Sequence, residues 1–312
     1  MAAAMARQPH DLARLLADPG PAEKAAGRLL GRRVVLAGTG SSWHAAHHGA
    51  LLLQEAGVPA SAVQLAELVF HGPWPGEGEA LLVLSHTGAT QHAVTAVQEG
   101  RARGLDPVVV TGLGSPLPGL TTVEQERSSA YTSSHLAAMF RLAQVAVALG
   151  AGLRLEEVPE AVAAALATPR EPVAPPRRLL ELTGQGPNRW TAAEGALKVR
   201  ETSRVATEGL SVEQLLHGPA VALGAEDALV CLDGGGPQAS RDRLAEVAAA
   251  AAASGVRVHR MESLELGEAL SVFPLTVAVQ RLALDLATAL GTDPDAFGRD
   301  VPGRAAWDAI RC

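Results

Sequence analysis

The chain has little lysine, cysteine or aromatic side chain, and its net charge is negative. A formal charge of -7 with a pI near 5.8 argues against a nucleic-acid partner, because a phosphate backbone demands clustered Lys and Arg. Two cysteines, Cys231 and Cys312, are too few for a disulfide framework or a Cys-based zinc site. Neither is expected to be catalytic, and their scarcity fits a reducing compartment.

Long uncharged apolar runs are also missing. No stretch approaches the roughly 18 to 20 apolar residues of a membrane span. The first 14 residues carry Arg and His where a secretory signal needs an apolar stretch. We therefore expect a cytoplasmic protein without a membrane partner. With 312 residues and 47% apolar residues, the chain can bury two cores.

Only Lys24 and Lys198 among the 26 basic residues are lysines. Because the chain strongly prefers arginine to lysine, a remaining lysine is either retained for its chemistry or present by chance. Composition alone leaves both interpretations open.

Short apolar runs, each followed by a glycine turn and a helical stretch, recur along the chain. Residues 10–30 are predicted to be helical, with a break at Pro19-Gly20-Pro21, and residues 132–168 are predicted to be helical again. The predicted strands of the first half are residues 34–37, 80–84 and 107–111. Buried strands alternating with helices predict an α/β fold, a parallel sheet covered by helices on both faces.

The pattern restarts after a Pro-rich linker at residues 170–177. Strands are predicted at 179–183, 229–232 and 256–259, and Gly184-Gln185-Gly186 before Trp190 matches Gly38-Thr39-Gly40 before Trp43. Chance similarity is the alternative, but the linker falls where a duplication requires it. We predict a helical segment at 1–32, a first α/β domain at 33–170, and a second with a C-terminal tail at 171–312.

Hydroxyl side chains follow two of the predicted strands. The first set is Ser41 and Ser42, and the second is Ser85, Thr87 and Thr90. Helix N-termini with such donors hold phosphate, although Ser and Thr are also favoured as plain helix caps. Two such turns would open on the same edge of one sheet, which favours a phosphate site. The turns lack a full dinucleotide fingerprint or P-loop, so no cofactor is expected.

Three histidines, His44, His47 and His48, are close together in sequence. His44 and His48 are one helical turn apart, as metal ligands can be. No acidic or Cys ligand accompanies them, so no metal is expected.

These residues resemble the SIS (sugar isomerase) phosphosugar family, most closely the isomerase half of glucosamine-6-phosphate synthase. The segment 85–90 resembles its Ser-x-Ser-Gly-x-Thr phosphate loop, with His86 at the variable position and Thr87 in place of the second Ser. Glu126 with Thr132 and Ser133 is similar to a Glu followed by Ser-Thr-Lys, although Ser134 stands where lysine is usual. The strongest match is Glu-Gly-Ala-Leu-Lys-Val-Arg-Glu at 194–201, followed by Leu-Leu-His-Gly-Pro at 215–219.

The resemblance spans residues 8–295 and implies two tandem SIS domains, each doubly wound and flavodoxin-like. It also implies that Glu201 moves a proton between C1 and C2 of a sugar phosphate. His217 would open the sugar ring, reaching across a homodimer. By the same resemblance, the phosphate would be held by the two turns, with Glu126, Thr132 and Ser133 nearby.

The residues alone leave this chemistry open. Glu194, Lys198 and Glu201 fall at i, i+4 and i+7, one stripe of a helix, so that Lys198 can contact both acids. A solvated Glu-Lys-Glu surface is the plainer interpretation of that stripe. A carboxylate with a raised pKa could instead shuttle the proton through an enediol, and a His titrating near neutrality suits ring opening.

The chain also departs from the resemblance. Nothing corresponds to the glutamine-hydrolysing domain, and the tail after Gly291 has no lysine for an imine. We expect an aldose/ketose isomerase acting on a sugar phosphate, with or without an amino group on the sugar. An aminosugar-phosphate deaminase or deglycase and a non-catalytic sugar-phosphate sensor are the alternatives.

Overall fold

The computed structural model describes residues 1–296, 301, 303–308 and 310. The chain divides into two compact units. Among the described residues, we call the first unit Arg7–Arg127 and Tyr131–Glu156, together with residues 301, 303–308 and 310. The second unit is Met1–Ala6, Ser128–Ala130 and residues 157–296.

The helices of the described part of the chain are numbered in chain order. They are α1 (Ala2–Leu16), α2 (Gly20–Leu29), α3 (Ser41–Glu55), α4 (Leu65–His71), α5 (Gln91–Ala102), α6 (Ser133–Ala148), α7 (Val158–Ala167), α8 (Asn188–Ser203), α9 (Val212–Leu216), α10 (Gln238–Ala253), α11 (Glu268–Leu290) and α12 (Arg304–Asp308). Short 3₁₀ helices lie at Leu155–Glu157 and Pro219–Ala222.

The strands of the same residues are numbered likewise. They are β1 (Arg33–Gly38), β2 (Ala60–Gln64), β3 (Glu79–Leu84), β4 (Val108–Leu113), β5 (Leu120–Glu124), β6 (Leu180–Gly184), β7 (Thr207–Ser211), β8 (Ala228–Asp233) and β9 (Arg257–Glu262).

The first unit is built on a five-stranded parallel sheet with the order β2-β1-β3-β4-β5. This is the order of the flavodoxin-like doubly wound fold. One face packs Ala37 and its neighbours against Leu68 of α4 and Ala96 of α5. On the other face α3 comes so close to β1 and α6 that a Cβ on Gly49 would lie 2.9 Å from Leu36 Cδ2. Helices therefore cover both faces.

The second unit repeats the arrangement with one strand fewer. Its parallel sheet has the order β7-β6-β8-β9, which is 2-1-3-4 in its own count. Leu182 packs with Ala196 of α8 and with α11, whereas Leu229 packs on the opposite face with α9 and α10. The predicted α/β architecture of two parallel sheets flanked by helices is confirmed. The domain limits at 32/33 and 170/171 stay predictions.

Helix α11 is long and apolar enough to cross a membrane by length and composition alone, with a mean hydropathy of 1.4 over its best window. Within the described residues, 72% of that window is buried. Its neighbours include α8 and α7. The helix is therefore packed as a core element of the second unit.

Candidate active site

The first turn of the candidate site follows β1. A Cβ on Gly38 would lie 2.3 Å from the backbone oxygen of Ser42, so only glycine lets the strand turn this tightly into α3. Gly40 has φ of +57°, a region that also favours glycine. The two glycines place the hydroxyls of Ser41 and Ser42 at the start of α3, at the carboxyl edge of the sheet.

The second turn follows β3 and is held by its own hydroxyl groups. Ser85 Oγ accepts from Gly88 N at 3.2 Å and lies 3.3 Å from Thr90 Oγ1. Thr111 Oγ1, on the neighbouring strand β4, donates to the Ser85 carbonyl at 2.7 Å. The turn is therefore fixed before any ligand arrives.

The two turns enclose one cavity of about 150 Å³. That volume holds roughly five water molecules, which suits a phosphate group better than a nucleotide. The predicted residues that line it are Ser41, Ser42, Ser85, His86, Thr87 and Thr90. It is also lined by four residues that were not predicted from the sequence: Thr39, Tyr131, Ser134 and His135. The sequence offered one signal for these four residues, which is that they lie next to predicted site residues.

His86 enters the cavity as a neutral ring. Its Nε2 accepts from the backbone N–H of Glu126 at 3.3 Å, which leaves the proton on Nδ1. Burial lowers the pKa of His86, and the Glu126 carboxylate opposes that shift. The ring is therefore neutral near pH 7, and its Nδ1 is buried beside Gly112 with no hydrogen-bond partner among the described residues.

Glu126, Thr132 and Ser133 do not line the cavity. The Glu126 carboxylate accepts from Thr132 N at 3.0 Å and from Ser134 N and Oγ at 2.7 and 2.6 Å. Ser133 Oγ donates to Asp11 at 2.8 Å. These groups fix the start of α6, because its first N–H groups need acceptors. They act on the cavity by positioning Ser134.

The second set of predicted residues lies on α8 in the second unit. Lys198 Nζ is hydrogen-bonded to Glu201 Oε2 and lies 3.7 Å from Glu194 Oε1. The side chains of Lys198 and Glu194 are fully buried, and that of Glu201 is 16% exposed. A solvated helix face is thereby excluded. Glu201 is the acid of this stripe that solvent can reach.

Close backbone packing holds this stripe in place. A Cβ on Gly195 would lie 2.7 Å from Leu182 Cδ2 of β6, and one on Gly209 would lie 2.4 Å from the Ala192 oxygen. Thr202 Oγ1 is 2.8 Å from the Lys198 carbonyl and 3.2 Å from that of Ala283 on α11. Helix α8 is thus fixed against β6, β7 and α11.

His217 is not part of the buried stripe. It follows α9, its side chain is 80% exposed, and its Nε2 lies 3.8 Å from Glu213 Oε2. Gly218 with φ of +145° and Pro219 come next, and Val221 is 92% exposed. The structure thus presents His217 to solvent on a short loop.

The remaining candidates are part of the core. His44 and His48 are buried on α3, and His48 stacks edge-on with His135 at 6.3 Å. No group of three potential metal ligands occurs among the described residues. Burial raises the pKa of Cys231 to about 12, which keeps it an unreactive thiol. Cys312 lies outside the described residues.

A hydroxyl-lined cavity at the carboxyl edge of a flavodoxin-like parallel sheet defines a class of protein. It is the class of doubly wound α/β proteins, whose ligands bind at that edge of the sheet. The sequence narrows that class. Residues 31–148 match the SIS domain family.

A relative in Pyrococcus horikoshii, glutamine–fructose-6-phosphate aminotransferase (isomerizing), is 28% identical over 301 residues. That match covers 84% of this chain and 50% of the relative, so the chain spans about half of that protein's length. The chain contains a SIS domain and is homologous to the isomerase domain of these aminotransferases.

Solved structures share the fold over nearly the whole chain. Tagatose-6-phosphate ketose/aldose isomerase from Escherichia coli has a TM-score of 0.76 at 20% identity, covering 94% of both chains. Glucosamine-6-phosphate deaminase from Thermotoga maritima has a TM-score of 0.73 at 19% identity, covering 95% of this chain and 96% of the other. At such identities these likenesses establish the fold alone.

Proposed function

We propose that this chain, with SIS domains in tandem, is a phosphosugar isomerase that interconverts an aldose and a ketose phosphate, with or without an amino group on the sugar. The observation that carries this proposal is the buried stripe on α8, in which Lys198 binds the one carboxylate that solvent reaches, Glu201. The hydroxyl-lined cavity of the first unit would hold the phosphate.

The reaction is a proton transfer between neighbouring carbons. Glu201 takes the C2 proton of the open-chain aldose, and the electrons move onto the C1 carbonyl oxygen to give an enediolate. The proton of the C2 hydroxyl then moves to the C1 oxygen. The same carboxyl returns its proton to C1 as the C2 oxygen becomes the carbonyl, which yields the ketose. Lys198 positions the base and offsets negative charge on the substrate oxygens, and Glu194 holds Lys198 in its charged form.

His217 would open the sugar ring of a substrate bound to a second copy of the chain. Its exposure, next to the exposed Val221, suits a contact between two copies in a homodimer. Composition and motifs predict a phosphosugar as the only kind of partner and a cytoplasmic location. They also predict that nucleic acid, membrane and cofactor are not partners. These statements remain predictions.

The second candidate is release of an amine from an aminosugar phosphate. Lys198 is the observation that favours it, because an ammonium group hydrogen-bonded to the base could protonate a leaving amine. The base and phosphate cavity are the same in both reactions. Ammonia release from glucosamine 6-phosphate distinguishes the candidates. A non-catalytic sensor would do neither.

The test is deuterium exchange in heavy water with a panel of hexose and aminohexose 6-phosphates. We expect exchange at C1 or C2 of at least one member. Glu201→Gln should slow exchange by about 10² to 10⁴-fold, the usual contribution of a general base. Glu160→Gln, which changes an exposed acid on α7, is the matched control. If the protein binds a sugar phosphate without any deuterium exchange, and Glu201→Gln leaves that binding unchanged, the protein is a sensor.

A further inference from the structure

The phosphate cavity of the first unit is lined by no lysine or arginine from the described part of the chain. Its polar side chains are hydroxyl groups and two imidazole rings, those of His86 and His135. A phosphate monoester has a second pKa of about 6 and therefore carries close to two negative charges at pH 7.5. Burying such an anion is costly unless positive charge faces it. The positive charge must come from another source.

Helix ends supply part of that charge. Helix α3 begins at Ser41 and α5 begins directly after Thr90, so residues at both N-termini line the cavity. Each helix N-terminus is equivalent to about half a positive charge. Helix α6 also begins here, but its first N–H groups already donate to the Glu126 carboxylate, at 3.0 Å from Thr132 N and 2.7 Å from Ser134 N. The two remaining ends balance about one of the two phosphate charges.

His135 is placed to supply the second positive charge. It lies on the first turn of α6, lines the cavity and is 3% exposed. Its Nδ1 lies 3.0 Å from the backbone carbonyl oxygen of Ser41. Because a carbonyl oxygen only accepts, Nδ1 carries a proton and donates to it. A second proton is added at Nε2, and the resulting imidazolium keeps the hydrogen bond to Ser41.

His86 is less suited to become the cation. Its Nε2 accepts from the backbone N–H of Glu126 at 3.3 Å, and a proton on that nitrogen would set two donors against each other. Burial lowers the pKa of His86, and the Glu126 carboxylate opposes this only in part. Of the two rings that line the cavity, His135 is therefore the one whose backbone hydrogen bond survives protonation.

The acids around His135 favour a positive ring. The charged and titratable groups near it come from α1, α3, the turn after β3 and the loop before α6, and are Asp11, His44, His48, His86, Glu126 and Tyr131. His48 meets the His135 ring edge-on, with 6.3 Å between the ring centroids. The two acids of this set accept from the hydroxyls of Ser133 and Ser134, the residues just before His135. Their negative charge favours an imidazolium at this position.

We propose that His135 takes up a proton from solvent when a phosphate group binds, and that it is the cation of the phosphate site. In the bound state its Nε2–H donates to a phosphate oxygen. The proposal rests on the proposed phosphate cavity and is independent of the reaction that follows. Because binding consumes a proton, the affinity for a phosphosugar should fall as pH rises, by up to about tenfold per pH unit.

The test uses sulfate as the probe, because sulfate is a dianion at every pH used and cannot itself take up the proton. Calorimetric titrations of the full chain at pH 7.5, in two buffers that differ in ionisation enthalpy, give the number of protons taken up per sulfate bound. An ordinary imidazole, with a pKa of about 6.5, is mostly neutral at that pH before binding, so we expect an uptake of about 0.5 to 1 proton. The sulfate affinity should fall at least about tenfold between pH 6 and pH 8.5.

His135→Asn is the variant that isolates the titration. Its amide can still donate to the Ser41 carbonyl but cannot take up a proton. It should lose the proton uptake, bind sulfate at least about tenfold more weakly at pH 6.5, and show an affinity nearly independent of pH. His135→Gln, which also lacks a titratable ring, is the second variant. His10→Asn replaces an exposed histidine of α1 and should keep both the uptake and the affinity.

Saturable sulfate binding without proton uptake by the wild-type chain would overturn the proposal, and this outcome requires no variant. Proton uptake that persists in His135→Asn, or that is lost in His86→Asn instead, would also overturn it. If neither sulfate nor inorganic phosphate binds, the proposed phosphate cavity is wrong together with this proposal. The failure of the proposal alone is thus distinguishable from the failure of the proposed function.

Discussion

Glu181 is a carboxyl group in the middle of a buried strand. It lies on β6 between Leu180 and Leu182, is 1% exposed, and faces Glu208 directly across the ladder. Burial first, and then Glu208, raise its pKa to about 8, against a smaller opposing effect of Arg200. Glu181 is therefore protonated at neutral pH, and the active-site proposal does not use it.

This group should make the fold less stable as pH rises. Its folded pKa of about 8 exceeds the ordinary value of 4.5, so the unfolded chain loses the proton first. The stabilisation is complete below pH 4.5 and is lost up to pH 8, by at most about 1.4 kcal/mol per pH unit. Urea unfolding at pH 5, 6.5 and 8 should show a shallower decline for Glu181→Gln. Parallel profiles for wild type and Glu181→Gln would contradict this, and the exposed Glu160→Gln is the control.

At the residue scale the sequence predicts side-chain chemistry better than side-chain direction. The hydroxyls of Ser42, Ser85 and Thr87 face the cavity as expected. Glu126 has equally suitable chemistry, yet its carboxylate is used by the start of α6. Which donor a loop carboxylate meets depends on the path of residues 127–132, and no local pattern encodes that path.

At the scale of elements, the two sheets repeat the same strand-to-helix turn but use it differently. A Cβ on Gly184 would lie 2.6 Å from the Asn188 oxygen, as one on Gly38 would lie 2.3 Å from the Ser42 oxygen. In the second sheet, however, the Glu268 carboxylate packs against Gly186 and Gly236. Only about 10 Å³ is left there. A carboxylate of the chain itself occupies the place that the first sheet leaves for a ligand.

Each chain should therefore bind one phosphate group. Calorimetric titration with inorganic phosphate or a phosphosugar is expected to give one site per chain. The double variant Ser85→Ala and Thr87→Val should remove it, because both hydroxyls line the open cavity. Ser240→Ala, in the equivalent region of the second sheet, should change nothing. A stoichiometry of two, or binding that survives the double variant, would show that the second turn also accepts an anion.

Strands in sheet interiors could be predicted, and most edge strands could not. The apolar runs at 34–37, 80–84 and 229–232 lie in β1, β3 and β8. The three strands that the sequence did not reveal, β2, β5 and β7, all lie at sheet edges. Their sequences, such as Thr-Glu-Gly-Leu-Ser, are half polar because an edge strand is only partly buried. A half-polar edge strand therefore has no continuous apolar run by which it could be predicted from the sequence.

For the whole molecule, the recurring strand, glycine turn and helix predicted two α/β halves, and the structure has two parallel sheets of matching order. The loss of the fifth strand could not be predicted, because a shortened connection resembles any other loop. The assembly of copies of the chain could not be predicted either, because it depends on surfaces of the folded protein that leave no pattern in the sequence. The exposed loop of His217 is the surface for which a specific assembly is proposed.

Mixing two inactive variants tests that assembly. Glu201→Gln lacks the base and His217→Asn lacks the ring-opening group, so each homodimer should be inactive on a ring-closed sugar phosphate. If His217 acts in the partner copy, one site of each mixed dimer contains both mutations and the other contains neither. Random mixing should then restore about one quarter of the wild-type sites. Mixing Glu201→Gln with Lys198→Met should restore none, because these two residues act in the same chain. Mixed dimers that form and still show no recovery would place His217 in the site of its own chain.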